Sequence, residues 1–230
     1  MPADLSGTIA RVRAAIAAAC ARVGRAPEEV TLLAASKTIA PERIREAYAC
    51  GLRHFGENRV QERMAKQAVL ADLDIEWHLL GPLQSNKAAR ALELFDVLET
   101  VDSLALAERL SRLAKAPVRV MLEINVGDEA QKHGVVPDQT LPLARAVAAL
   151  PHLHLCGVMA VPPAAEDPGA SRPYFRNLTE LSRQIRAVLP APPEHWDVSM
   201  GMSHDFVIAV EEGATIVRLG TALFGARPRA

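Results

Sequence analysis

Apolar residues in this chain follow two alternating rhythms. From Ser6 to Val23 they recur at helical spacing, at Ile9, Val12, Ile16 and Ala19, with Arg11, Arg13 and Arg22 interleaved, and Gly24 closes the segment. Beyond it, short apolar runs predict strands at 30–37, 53–56, 76–81, 96–100, 118–126, 154–160, 196–199 and 215–219. Helix-period segments of about 8 to 17 residues separate these runs. Pro41 falls in the first turn of one such segment and Pro137-Asp138 announces another, positions where proline's missing N–H costs nothing.

Eight strands, each but the last followed by a helix, predict an α/β fold: a parallel TIM-type (β/α)8 barrel. Only Ala222 to Ala230 follow the last strand, so the N-terminal helix is expected to complete the outer ring. A doubly wound sheet competes, but no GxGxxG follows the first strand. The pattern shows no second-domain boundary, and residues 1–230 are expected to form a single domain. The Pro- and Ala-rich stretch Val161 to Pro173 reads as a mobile loop at the barrel mouth.

Composition narrows the functional classes. A chain of 230 residues, 50% hydrophobic, can bury a core of this size. A net charge of -1 gives no basic excess for nucleic acid or an anionic membrane. No run approaches the length of a membrane span and the N-terminus does not read as a signal peptide, so a cytoplasmic protein is expected. Cys20, Cys50 and Cys156 are widely spaced and contain no CxxC pair, which suits small buried side chains in a reducing compartment.

Barrel chemistry sits at the C-terminal ends of the strands. Those ends read Lys37; Glu57 and Asn58; His78 to Gln84; Asn125; Met159; Ser199 to Ser203; and Arg218 to Thr221. Lys37 ends an apolar run, where desolvation penalises its charge and favours an amine able to attack a carbonyl. The alternative is a strand-end lysine that reaches back to solvent. The segment Ser199-Met200-Gly201-Met202-Ser203 opens a helix near His204, with Ser203 as N-cap and Asp205 in the first turn. It reads as a capped turn or as a phosphate cradle, and Gly220-Thr221 supplies a second loop of the same kind.

Strand alternation puts Ile216, Arg218 and Gly220 on one face, with Val217 and Leu219 on the other. Arg218 therefore shares a side with the phosphate-loop glycine, unless it is held in an ion pair with a carboxylate such as Glu123. Lysine, phosphate loops and a fixed cation describe a site for a phosphorylated aldehyde, with pyridoxal 5'-phosphate the leading candidate. A guanidinium opposite the ring nitrogen stays charged and leaves that nitrogen unprotonated, a weaker electron sink that disfavours chemistry needing a long-lived carbanion.

Six segments together resemble the pyridoxal phosphate homeostasis protein family: Ala35-Ser36-Lys37-Thr38, Phe55 to Glu62, Trp77 to Lys87, Gly157 to Ala160, Ser199 to Ser203 and Val217 to Gly225. The resemblance covers nearly the whole chain. It implies a barrel of pyridoxal phosphate fold type III, similar to the N-terminal domain of alanine racemases, with Lys37 as the Schiff-base lysine. It also implies that Ser199, Ser203, Gly220 and Thr221 hold the phosphate, that Arg218 faces the pyridine nitrogen, and that Asn58 and Met159 line the pocket. His204 and Arg59 depart from the family's pattern, at the helix start and the pocket rim.

The implied role is buffering pyridoxal phosphate or delivering it to apo-enzymes, with no catalytic residues. Racemisation needs acid/base groups on both faces of the α-carbon. Alanine racemases bring a tyrosine from a second domain, whereas Tyr48 and Tyr174 fall in one predicted helix and at the start of another; Tyr174 alone, following the loop 161–173, stands where it could approach. The alternative functions are a small amino-acid racemase or a lysine Schiff-base aldolase. His133, His152, His154, His195 and His204 show no ligand spacing, His54 reads as packing, and His78 reads as packing or pocket, so no metal is expected. Lys87 and Lys132 read as surface charges. Low aromatic content and the lack of an obvious apolar patch favour a monomer.

Overall fold

The computed structural model describes residues 4–129 and 131–225, so the tail residues 226–230 lie outside it. All eight predicted strands form: β1 (Thr31–Ala35), β2 (His54–Glu57), β3 (Glu76–Leu79), β4 (Val97–Val101), β5 (Val118–Glu123), β6 (Leu153–Met159), β7 (Asp197–Ser199) and β8 (Ile216–Leu219). They pair in parallel in chain order, and β8 closes on β1 to complete a barrel. The outer helices are α1 (Leu5–Arg22), α2 (Pro41–Ala49), α3 (Val60–Lys66), α4 (Ala88–Leu94), α5 (Leu104–Leu113), α6 (Thr140–Ala148), α7 (Arg172–Val188), α8 (Phe206–Glu211) and α9 (Thr221–Phe224).

The period-two alternation sorts side chains to the two sides of the wall. Leu32, Ala34, Phe55, Trp77, Val217 and Leu219 face outward and pack under the helices in the main core. Leu33, Val97, Met121, Cys156 and Ile216 face inward and meet Leu80 in a second, smaller cluster inside the barrel. Gly56 shows how tightly that interior is filled, because a Cβ there would lie 2.4 Å from Leu80 Cδ1 and 2.9 Å from Leu33 Cδ2.

A short helix, α9, does follow β8, contrary to expectation, and the N-terminal helix completes the ring by packing on it and between α8 and α2. Asp4 caps α1 by accepting from the Gly7 N–H at 3.1 Å, and Gly24, at φ +68°, turns the chain out of it. Arg22 pairs with Glu211 of α8 at 2.7 Å, Arg25 donates to the Val210 carbonyl, and Arg13 donates to Gly51 just beyond α2. The predicted loop 161–173 is shorter than expected. Asp167 accepts from the Gly169 N–H and starts a 3-10 turn, Pro168–Ser171, which runs directly into α7. Among the described residues, no helix is long and apolar enough to cross a membrane.

Candidate functional site

The barrel mouth gathers most of the predicted site residues. Ser36 continues the β1 ladder, its N–H donating to the Gly56 carbonyl at 2.8 Å, while its side chain turns outward to Glu57. The alternation then carries Lys37 to the inner side of the rim, half-buried. Thr38 follows with φ at 65°, a left-handed conformation that a β-branched residue adopts only when its surroundings hold it there. Asn58 stands at the next inward position after Gly56, and Gly81 presses on its main chain: a Cβ on Gly81 would sit 2.3 Å from the Asn58 carbonyl oxygen. Met159 is fully buried at the end of β6, in register with Ser199.

Arg218 is 5% exposed and tightly held. Its guanidinium donates to Ser199 Oγ at 2.7 Å and to the Ala160 carbonyl at 2.8 Å, with Glu99 Oε2 at 3.9 Å. It is therefore not the partner of Glu123 in a direct ion pair. From Arg218 a column of polar groups descends through the barrel. Ser199 Oγ donates to Glu99 Oε2 at 2.5 Å, Glu99 Oε1 lies 2.6 Å from His78 Nδ1, and His78 Nε2 lies 3.0 Å from Glu76 Oε1. Burial alone would lower the His78 pKa, but hydrogen bonds to the two glutamates override it and raise it to about 9. Burial favours the neutral form of Glu99, yet His78 and Arg218 together pull its pKa below the ordinary value.

Glu123 is different. Its Oε2 is buried without a hydrogen-bond partner at the end of β5. Burial, with repulsion from Asp102, raises its carboxyl to about 7 against the pull of Arg218. An orphaned acceptor thus faces the same region as the fixed guanidinium.

The two phosphate-type loops meet through Ser203. Its hydroxyl accepts from the Gly220 N–H at 3.3 Å and the Ala222 N–H at 3.0 Å, tying the loop after β7 to the start of α9. Ser203 is not the N-cap of α8. The helix begins at Phe206 after Asp205, whose carboxylate already takes the Met202 N–H at 2.8 Å and the Ser171 hydroxyl at 2.9 Å. Gly201 holds φ at +88°, and a Cβ there would strike Ala209 at 2.4 Å, so the loop depends on glycine to pack against α8. Thr221 is exposed at the head of α9. Ser199, by contrast, has no exposure and spends its hydroxyl on Glu99 and Arg218.

Beside Asn58 a groove of about 650 Å³ opens between the loops after β2 and β3, lined by Arg59, Gln61, Leu83, Gln84 and Lys87. Lys132 is half-buried, paired with Glu129 and donating to the Pro162 carbonyl, so it is more than a surface charge. Tyr48 and Tyr174 both pack, partly buried, against the main core, Tyr48 near the end of α2 and Tyr174 in the first turn of α7.

Sequence reasoning missed Lys66. Its ammonium is 2.6 Å from Glu57 Oε1 and 2.8 Å from the Ser36 carbonyl, and Ser36 Oγ donates to the same carboxylate at 2.8 Å. A buried ion pair thus clamps the main chain immediately before Lys37. The only advance sign was a lysine on the apolar side of α3, which its polar neighbours disguised. Glu76 and Glu99 were missed as well, although both occupy inward positions of predicted strands.

An amine on the inner rim, a fixed cation below it and a two-loop cradle form a donor set for a phosphate ester that carries an aldehyde. Residues 10–228 match the family described as alanine racemase, N-terminal domain. A pyridoxal phosphate homeostasis protein of Aquifex aeolicus is 44% identical over 222 residues, covering 95% of this chain and 96% of that protein. A Pseudomonas aeruginosa protein of the same name is 46% identical, covering 97% and 96% respectively. The solved structure of Synechococcus elongatus PipY with pyridoxal phosphate bound superposes at a TM-score of 0.79 with 40% identity, covering 91% of this chain and all of that one.

Proposed function

The chain belongs to the pyridoxal phosphate homeostasis protein family, and from that premise we propose that it holds pyridoxal 5'-phosphate at the barrel mouth and releases it to apo-enzymes. One arrangement carries this function: an inward lysine just past the end of β1, beside β8, whose Arg218 is buried, charged and immobilised by Ser199 and Ala160. Lys37 is the covalent anchor. Arg218 faces the ring nitrogen, and Ser203, Gly220 and Thr221 hold the phosphate. Ser199 borders that loop, its hydroxyl committed to fixing Arg218, while Asn58 and Met159 line the pocket. The cofactor supplies an aldehyde able to combine reversibly with an amine.

One feature suits storage better than turnover. A guanidinium held by two acceptors keeps its protons, so Arg218 offers the ring nitrogen no acid. Action as a monomer belongs to the same proposal: the exposed large apolar side chains, among them Val23, Met64, Leu104 and Val161, are scattered over separate elements. A cytoplasmic location does too, since Cys20, Cys50 and Cys156 are all free thiols.

The test is an absorbance spectrum of wild type and Lys37→Ala with added pyridoxal phosphate, before and after borohydride. Wild type should show a visible band that reduction makes permanent, and the variant should lack it. Mixing loaded protein with an apo-enzyme should then restore that enzyme's activity. A wild type without the band, or a variant that keeps it, would remove Lys37 from the proposal.

A further inference from the structure

The far end of the polar column carries chemistry that the mouth does not use. We infer that His54, Glu76 and His78 form a binding site for one first-row divalent cation of the zinc type at the N-terminal end of the barrel. His54 stands opposite Glu76 in the β2–β3 register, and His78 is the next inward residue along β3. His54 Nδ1 lies 3.2 Å and His78 Nε2 lies 3.0 Å from the same atom, Glu76 Oε1. The three donor atoms all lie within 4.8 Å of one another. A single ion placed about 2.0–2.2 Å from each is therefore within reach of small side-chain adjustments.

The surroundings are those of a supported site. A metal-bound imidazole usually gives its other N–H to a carboxylate, which fixes the tautomer and aims the remaining lone pair. His78 has that partner already: its Nδ1 is 2.6 Å from Glu99, a carboxylate with no exposure. Glu76 is steadied from behind, with Arg119 2.6 Å from its second oxygen, leaving Oε1 turned toward the two rings. The rings meet edge to face with centroids 6.1 Å apart, so neither blocks the point on which they converge. Access comes from the barrel floor, where the His54 and Glu76 side chains are 36% and 29% exposed while that of His78 is 2%. Water from that side can complete the coordination.

Two imidazoles and one carboxylate, with no thiolate in the cluster, select borderline ions such as Zn²⁺ or Co²⁺ over Mg²⁺ or Ca²⁺. The ion takes the place of the protons that the two ring nitrogens present to Glu76, and those protons leave to solvent. This site runs against the sequence expectation of no metal, because only Glu76 and His78 are close along the chain and the second histidine, His54, lies on another strand. The bound ion joins β2 to β3 and stands at one end of the column whose other end is Arg218.

The experiment uses the full chain, stripped of metal by chelation and dialysed, then titrated with Zn²⁺ by calorimetry and with Co²⁺ by visible spectroscopy. One equivalent should bind, and the Co²⁺ spectrum should lack a thiolate charge-transfer band. His54→Ala should lose tenfold or more in affinity, as should Glu76→Gln, while His195→Ala, at an exposed histidine, should match wild type. Circular dichroism establishes that each variant is folded; the half-exposed His54 keeps the test decisive where Glu76→Gln disturbs Arg119. Full affinity in folded His54→Ala, no saturable equivalent in wild type, or a thiolate band placing the ion on a cysteine would each overturn the site.

Discussion

Two buried ionic networks flank the mouth, and they are built differently. The inner column, from Glu76 through His78, Glu99 and Ser199 to Arg218, leaves none of its members without a hydrogen bond. The outer pair, Lys66 with Glu57, lies beneath α3, and Glu57 Oε2 is buried with no partner. Burial pushes the Glu57 carboxyl up even though Lys66 and Ser36 pull it back. The column fixes a side chain, the Arg218 guanidinium. The pair fixes a main-chain atom, the Ser36 carbonyl, one residue before the proposed anchor. The Arg218 cation is held by its own donors, whereas the network around the proposed anchor grips the backbone that presents it.

The incomplete network should break most severely. Lys66→Met leaves Glu57, with no exposure, only the Ser36 hydroxyl and the more distant charge of Arg63, and removing one member of a buried pair costs about 3–5 kcal/mol. Urea denaturation should register that loss. The double variant Glu57→Leu/Lys66→Met removes both charges and should recover most of it. Equal destabilisation of the single and double variants would mean that packing, rather than charge, dominates the clamp.

The complete network should yield less, and at a different place. Glu99→Gln takes from His78 and Arg218 the carboxylate both approach, at an expected cost of about 2–3 kcal/mol. Because the column ends on Arg218, this variant should also bind pyridoxal phosphate more weakly than wild type, read by titration of the visible band. Unchanged cofactor affinity with lowered stability would confine the column to a structural role.

Much of this arrangement is readable along the chain. Alternation alone places Leu33 and Ile216 inward, Val217 and Leu219 outward, and hence Arg218 inside and Lys37 on the inner rim. What alternation cannot supply is which inward residues meet across the barrel. Ser199 bonds Glu99 three strands away, and the pairing depends on the stagger that closes the sheet rather than on any local spacing. Ser203 failed as a cap of α8 for a similar reason: Asp205 competes for the local N–H groups, and Ser203 finds its partners at the head of α9, brought near by tertiary structure. Lys66 was hidden because a buried lysine is rare enough that helical patterning assigns it to solvent.

Glu123 tests the comparison from a carboxylate that belongs to neither network. A folded-state pKa of about 7, against the ordinary 4.5, makes the native state the stronger proton binder between those values. Its contribution is therefore present in full below about 4.5 and is lost as pH rises through about 7. Glu123→Gln should flatten the pH dependence of stability in that window. Above pH 7 it should stabilise the cofactor-free protein by about 1–2 kcal/mol, allowing for the partial exposure of the group. Urea midpoints that fall at pH 8 in the variant would show that the ionised carboxylate is compensated by Arg218 after all.

The smallest expected effect on stability is at Ser203, where the comparison turns from buried to half-exposed groups. Ser203→Ala deprives the Gly220 and Ala222 N–H groups of their acceptor, but both are half-exposed at the head of α9, where water can reach them. The cost should stay near 1 kcal/mol. Function should separate from stability here. With the hydroxyl gone, the loop after β7 is no longer tied to the head of α9, and the proposed phosphate cradle loses the contact that sets its width. Affinity for pyridoxal phosphate should drop about five- to tenfold, while pyridoxal, which lacks the phosphate, should form its band on Lys37 equally well in variant and wild type. Equal losses for both ligands would move the defect from the phosphate loops to the anchor, and no loss for either would place the phosphate elsewhere.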